Sequence, residues 1–327
     1  MAKNAPTVIG FDLGGTKMLA GIVAADNKLL GRDKRRTAGD QSADAIFKRI
    51  CKTIQAAMDD AGVGRDDIAG IGLGCPGPVD SKDGRLQDTP NIRLGNFNLR
   101  KELEKQFGVP VALENDVNTG TYGEYCFGAG KGVRHLIGIF PGTGIGGGLV
   151  LDGRLYRGAT GGAGELGHMI INPLGPLCGC GQRGCLEAHA SRLSLAKDLA
   201  ALSYRGQATS AELKDVTDIA KIRSKTLQKA MADGDKRAEA IIMHAADNLG
   251  LGMANIVNIL NPEMIVLGGG LVEALPSSFV KCAEDSMRRH AMPGLVKDVK
   301  VTVAKLGDDA VVLGAAQIIR EQLEVGK

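Results

Sequence analysis

Asp12-Leu13-Gly14-Gly15-Thr16-Lys17 follows the β-like run Thr7–Phe11 and precedes a second one, Met18–Ala24. Apolar runs on both sides of a glycine turn predict a strand, a tight turn and a returning strand. The design recurs far downstream, where His135–Phe140 is β-like, Gly142-Thr143-Gly144 supplies the turn and Gly146–Leu151 returns. Ile9-Gly10 falls over Ile137-Gly138 when the two stretches are laid together. A second pair follows: Ile71-Gly72-Leu73-Gly74 runs into Cys75-Pro76-Gly77, and Met264–Leu267 runs into Gly268-Gly269-Gly270. Such a repeat predicts two similar α/β units facing each other.

Helices fill the intervals. Ile46, Ile50, Ile54 and Met58 form an apolar stripe at helical spacing behind the capping residue Ser42. Leu99, Leu103 and Phe107 form another, opened by Asn98 and stopped by Gly108. A long helix is expected from about Lys236 to Leu260, ending at Asn261-Pro262, and a terminal one from Asp308 to about Leu323.

Composition narrows the function. Among 327 residues, 44% are hydrophobic but only 3% aromatic, with no tryptophan, so the cores are aliphatic and stacking platforms for single-stranded nucleic acid are not expected. The net charge of +3 describes a mixed surface. The cluster Arg32, Lys34, Arg35, Arg36 reads as a solvated strand edge in preference to a nucleic-acid patch. No secretion signal or membrane-spanning run is apparent, so a cytoplasmic protein with no membrane partner is expected. Seven cysteines there argue against a disulfide framework. The 47 glycines are twice the average share of ~7% and gather after β-like runs, where backbone turns or meets a ligand.

The two glycine turns point to phosphate, because their bare N–H groups can face phosphate oxygens. Thr16, Lys17 and Thr143 can add donors, and Asp12 can hold a hydrated magnesium ion. Gly142, Gly144 and Gly147 also satisfy G-x-G-x-x-G, but a dinucleotide site needs a helix next, and Gly148–Gly153 reads as strand and turn. Glu114-Asn115-Asp116 ends a short strand, Val111–Leu113. Asp116 there can take a hydroxyl proton, or it can simply cap the next helix. Asn115 can donate to and accept from sugar hydroxyls.

His168, Cys178, Cys180 and Cys185 give H-x9-C-x-C-x4-C among glycines and prolines. One imidazole and three thiolates at this spacing suit tetrahedral zinc. Glu165 and Glu187 bracket the loop and become candidates beside it.

Together these segments resemble the repressor–ORF–kinase (ROK) family, and most of all its bacterial glucokinases. The resemblance rests on Asp12–Lys17, Gly74–Asp80, Pro90-Asn91, Glu114–Asn118, Gly142–Gly148, Gly162–His168, Cys178–Glu187 and Gly268–Gly270, in family order. It implies an actin-like (ribonuclease H-like) duplicated ATPase fold with a cleft between two lobes. The expected lobes span residues 1–117 and 118–307, with the zinc loop at 168–187 and a final helix, about 308–325, packing back on the first lobe. It further implies phosphoryl transfer from ATP to a hexose, glucose giving glucose 6-phosphate, with Asp116 as general base. Asn91, Asn115, Asp116, Glu165, His168 and Glu187 would hold the sugar. ATP with Mg2+ would use Asp12, Gly14, Gly15, Thr16, Lys17, Gly142, Thr143, Gly144, Gly268 and Gly269, and a structural Zn2+ would fix the His168 ring. Loss of that zinc is expected to weaken sugar binding and to spare the glycine turns. A homodimer is also implied.

Two alternatives stand beside this reading. An N-acetylhexosamine kinase, for N-acetylmannosamine or N-acetylglucosamine, would share Glu165, His168 and Glu187; Thr160–Gly164 looks more glucokinase-like. A sugar-sensing regulator without enzymatic activity would need a helix-turn-helix domain, and only about eight residues precede the first strand.

Overall fold

The computed structural model describes residues 6–77, 79–80, 83–86, 92, 94, 97–208, 210, 213, 218–219 and 222–325. Asn91, expected at the sugar site, lies outside the described residues.

The glycine-turn repeat becomes two five-stranded sheets. The first contains β1 (Val8–Leu13), β2 (Lys17–Val23), β3 (Leu29–Arg36), β4 (Ile71–Cys75) and, beyond the small β5 (Val79–Asp80) and β6 (Arg85–Leu86) ribbon, β7 (Val111–Asn115). The second contains β8 (Leu136–Pro141), β9 (Ile145–Leu151), β10 (Arg154–Leu155), β11 (Met264–Leu267) and β12 (Lys300–Val303). Their orders, β3-β2-β1-β4-β7 and β10-β9-β8-β11-β12, are the same arrangement twice. Pairings match too: β1–β2 and β8–β9 are antiparallel, while β1–β4 and β8–β11 are parallel. Even the glycines correspond, Gly10 facing Gly21 and Gly138 facing Gly148.

The helices begin and end where capping chemistry puts them. In chain order they are α1 (Ala43–Ala61), α2 (Leu99–Phe107), α3 (Asp116–Phe127), α4 (Leu186–Ala190), α5 (Arg192–Tyr204), α6 (Ser224–Ala232), α7 (Lys236–Leu260), α8 (Gly270–Ala274), α9 (Ser277–His290), α10 (Pro293–Val296) and α11 (Asp309–Val325). Ser42 caps α1 by accepting from Ala45 N, and Gly62 and Gly108 close α1 and α2 in the left-handed region. The α7 helix is apolar and long enough to cross a membrane by composition, but here it is a core helix packed against α9 and α4. The basic cluster sits on edge strand β3, with Arg32, Lys34 and Arg35 paired to Asp309, Asp308 and Asp33.

Two helices position the site. The last, α11, lies on the first sheet so closely that a Cβ on Gly72 would fall 2.0 Å from the carbonyl oxygen of Ala315. Glycine is the residue that permits this contact between helix backbone and sheet. Arg320 fastens the same helix, its guanidinium donating to Val23 O at 2.9 Å, Ala24 O at 2.7 Å and Pro6 O at 3.1 Å. The second helix, α3, starts at the end of β7 in the first sheet and packs against β8 and β9 of the second.

Candidate functional site

Three cavities follow one another, the first two lined from both sheets' units and the third from the second alone. The first, about 510 Å³, is lined by Gly77, Asn115, Asn118, Gly161–Gly164, Glu165 and His168 among others. It shares Val117 with the second, about 290 Å³, where Asp12, Gly14, Asp116, Glu124, Gly269 and Asp308 converge. That one shares Glu273 with the third, about 560 Å³, lined by Arg192, Arg223, Ser224, Lys225 and Gly270. Asn115, Glu165 and His168, predicted for the sugar, line the first cavity; Asp12, Gly14 and Gly269, predicted for ATP, line the second together with Asp116, and Glu187 lines neither.

The cap of α3 separates the roles of Asn115 and Asp116. Asn115 takes the extended cap conformation, and its Oδ1 accepts from Val117 N at 2.9 Å and Asn118 N at 3.0 Å. Its Nδ2 donates to Gly77 O at 3.2 Å, which leaves one amide hydrogen. The capping alternative for Asp116 is therefore corrected: Asn115 caps, and Asp116 is the first helical residue. Asp116 accepts from Val117 N at 2.9 Å through Oδ1. Burial pushes its carboxyl up to about 6, against a partial lowering by that backbone N–H. Asp12 is pushed up to about 7, first by burial and then by the charges of Asp116 and Asp308. Lys34 pairs with Asp308 and holds that carboxyl below its usual range.

Glu114 and Arg157 were not identified as a pair in the sequence. Glu114, at the end of β7, is 4% exposed, and its Oε2 accepts from Arg157 Nε at 2.5 Å. Its Oε1 accepts from Asn115 N at 3.0 Å and Asn118 Nδ2 at 3.1 Å. The fixed Asn118 amide leaves its Oδ1 buried and without a partner among the described residues, beside the first cavity.

His168 Nδ1 lies 3.6 Å from Cys178 Sγ, and Cys180 Sγ lies 3.7 Å from Cys185 Sγ. All four donor atoms fall within 4.8 Å of one another. A tetrahedron with ~2.3 Å metal–sulfur bonds has sulfur–sulfur edges of about 3.8 Å, so the donor set fits zinc. The other ring nitrogen of His168 stays available on a residue that lines the first cavity.

Glu187 is directed at the second glycine turn. Its Oε2 accepts from Ile145 N at 2.9 Å, and its Oε1 lies 3.7 Å from Cys178 Sγ. A Cβ on Gly144 would sit 2.2 Å from Glu187 Oε2, so a side chain there would displace the carboxylate. The carboxylate thus bridges the Cys/His loop and the turn, which the sequence kept apart. Gly15, Thr16, Lys17, Gly142, Thr143, Gly144 and Gly268 line none of the three cavities. Thr16, Lys17 and Thr143 are exposed, Gly142 faces open space, and Gly268 packs behind on the Phe140 ring. Gly15 is half-buried on the first turn, which Thr37 fastens through Gly14 O and Thr16 O.

The sequence profile of the ROK family matches residues 8–322. The chain belongs to the ROK family. Its ROK relatives include a glucokinase from Thermotoga maritima, 37% identical over 97% of this chain and 98% of that one. A xylose repressor from Caldicellulosiruptor bescii is 30% identical over 98% of this chain and 80% of its own length. A ROK family glucokinase from Streptomyces griseus, crystallised with glucose and AMPPNP, superposes with a TM-score of 0.80 at 34% identity, covering 96% of this chain and 99% of that one. The duplicated sheets described above are the actin-like ATPase fold of these ROK kinases.

Proposed function

We propose that this chain is an ATP-dependent hexose kinase acting on glucose, with Asp116 as general base. One observation carries the reading: a buried carboxyl with a pKa of about 6 stands where the cavity of Glu165 and His168 adjoins the cavity of Asp12 and Gly269. A base of that strength is ionised at neutral pH and still accepts a proton from a hydroxyl whose oxygen is forming a bond. The glucokinase relatives support glucose as the acceptor and ATP as the donor.

The sugar would occupy the first cavity, hydroxyls toward Glu165, His168 and the remaining amide hydrogen of Asn115. Its 6-hydroxyl oxygen attacks the γ-phosphorus of ATP while the proton passes to Asp116. The bond from the γ-phosphorus to the bridging oxygen breaks, and ADP leaves with that oxygen. The phosphates would run along Gly14, Gly142–Gly144 and Gly269, where backbone N–H groups balance the spreading charge. Asp12 suits the magnesium ion that accompanies ATP, since its charge is buried beside two other carboxylates; the bound ion neutralises phosphate charge. His168, Cys178, Cys180 and Cys185 would hold zinc, which fixes the imidazole and the loop carrying Glu187. Seven free thiols agree with a cytoplasmic location.

The test is ATP consumption measured across glucose, mannose, fructose, N-acetylglucosamine and N-acetylmannosamine. Glucose should give the highest kcat/KM. A preference for an acetylated sugar would replace glucose, and no turnover with any hexose would end the kinase reading.

A further inference from the structure

Arg192 belongs to none of the sequence motifs, yet it holds the second glycine turn from behind. It opens α5 and is 8% exposed. Its Nη2 donates to Thr143 Oγ1 at 3.0 Å and its Nη1 to Ile222 O at 3.0 Å. Its backbone N donates to Gly142 O at 2.9 Å. One residue therefore joins the turn to the segment entering α6. All three acceptors are neutral, and among the described residues Arg192 has no carboxylate partner. A buried guanidinium without a counter-charge is costly unless an anion arrives.

The neighbourhood favours such an anion. Arg192, Arg223 and Lys225 line the 560 Å³ cavity against one carboxylate, Glu273, which also lines the cavity of Asp12 and Asp116. Thr143 has a single hydroxyl hydrogen. Because its oxygen accepts from a cation, that hydrogen is left for another acceptor and is polarised toward it.

We propose that Arg192 is a positioning residue for the phosphoryl donor. It orients the Thr143 hydroxyl toward the phosphates of a nucleoside triphosphate, and its uncompensated charge completes the attraction. This rests on the kinase reading above and adds to it a residue that acts on the donor alone.

The experiment compares Arg192→Met, Thr143→Val and the double variant, by calorimetric binding of AMPPNP without sugar and by steady-state kinetics. Each single change should weaken AMPPNP binding and raise the KM for ATP about tenfold, the scale of one charge-assisted hydrogen bond. The KM for the sugar should stay within about twofold, and Arg192→Lys should recover part of the loss. The double variant should bind little worse than the weaker single one, because the two residues act in series. Effects that multiply in the double variant overturn the proposal, as does Thr143→Val with unchanged AMPPNP affinity. Equal losses for AMPPNP and sugar in Arg192→Met also overturn it, reducing Arg192 to a structural residue. Should no sugar be phosphorylated, the kinase reading fails while AMPPNP binding still decides this one.

Discussion

Glu114 Oε2 and Arg157 Nε lie 2.5 Å apart, joining the end of the first sheet to the loop that leaves the second. The carboxylate side chain is buried and the arginine side chain is 40% exposed. Arg157 also opens the segment leading to Gly161–Glu165, its carbonyl accepting from Ala163 N at 3.1 Å. This pair therefore bears on both the sheet junction and the wall of the sugar cavity.

Arg157→Met should leave Glu114 with two of its three partners and loosen that wall. A stability loss of roughly 1–3 kcal/mol is expected, since one partner is half in water. Glucose affinity should fall more than AMPPNP affinity in calorimetry. Equal affinities for both ligands in variant and parent would show that the loop does not shape the sugar cavity.

Asp116→Asn keeps the size of the side chain but cannot accept the proton. A fall in kcat of ~10²–10⁴-fold is expected, with sugar binding still measurable by calorimetry. In the parent, kcat/KM should drop about tenfold per pH unit below the raised pKa of about 6, as the base becomes protonated. A profile that is flat down to pH 5 would count against Asp116.

The folded-state pKa of Asp12, about 7, stands above its ordinary value of 3.8. Stability tied to this group is therefore fully present below about pH 4 and is lost as pH rises toward 7. Asp12→Asn removes that loss. The ligand-free variant should melt several degrees above the parent at pH 8 and gain less at pH 5. A constant difference across that range would show that burial of the charge is not the cause.

Cys180→Ser should lower the zinc content of purified protein from about one per chain, read by elemental analysis. Sugar affinity should fall through His168. Unlike the expectation drawn from sequence, AMPPNP affinity should fall as well, because Glu187 carries the loop's position to Ile145 N. Metal-depleted protein that binds AMPPNP normally would cut that connection.

Gly144→Val drives a side chain into the Glu187 carboxylate. The expected signature is a KM for ATP raised at least tenfold with a smaller change for sugar. An unchanged KM for ATP would show that the turn does not meet phosphate.

Much of this was legible because the residues concerned are neighbours in sequence. Asp12–Lys17 and Gly142–Gly144 announce their turns through glycine, and the loop from His168 to Cys185 announces a metal through donor type and spacing. The cap of α3 was not legible. Asn115 and Asp116 both suit that position chemically, and only the extended backbone of Asn115 decides it. Contacts between distant residues left no pattern either. Arg157 is 43 residues from Glu114, and Arg192 is 49 from Thr143. Glu187 was recognised as a carboxylate beside the loop, but its rotamer selects the turn's N–H, and sequence does not encode that choice directly.

The contact of Gly72 with Ala315 has a consequence for biosynthesis. The first sheet is translated within the opening 115 residues, but the helix that covers one of its faces starts at Asp309. A nascent chain still in the ribosome exit tunnel must therefore carry those strands with an apolar face uncovered, through most of elongation. Chaperone demand should peak late and end only when the last helix emerges.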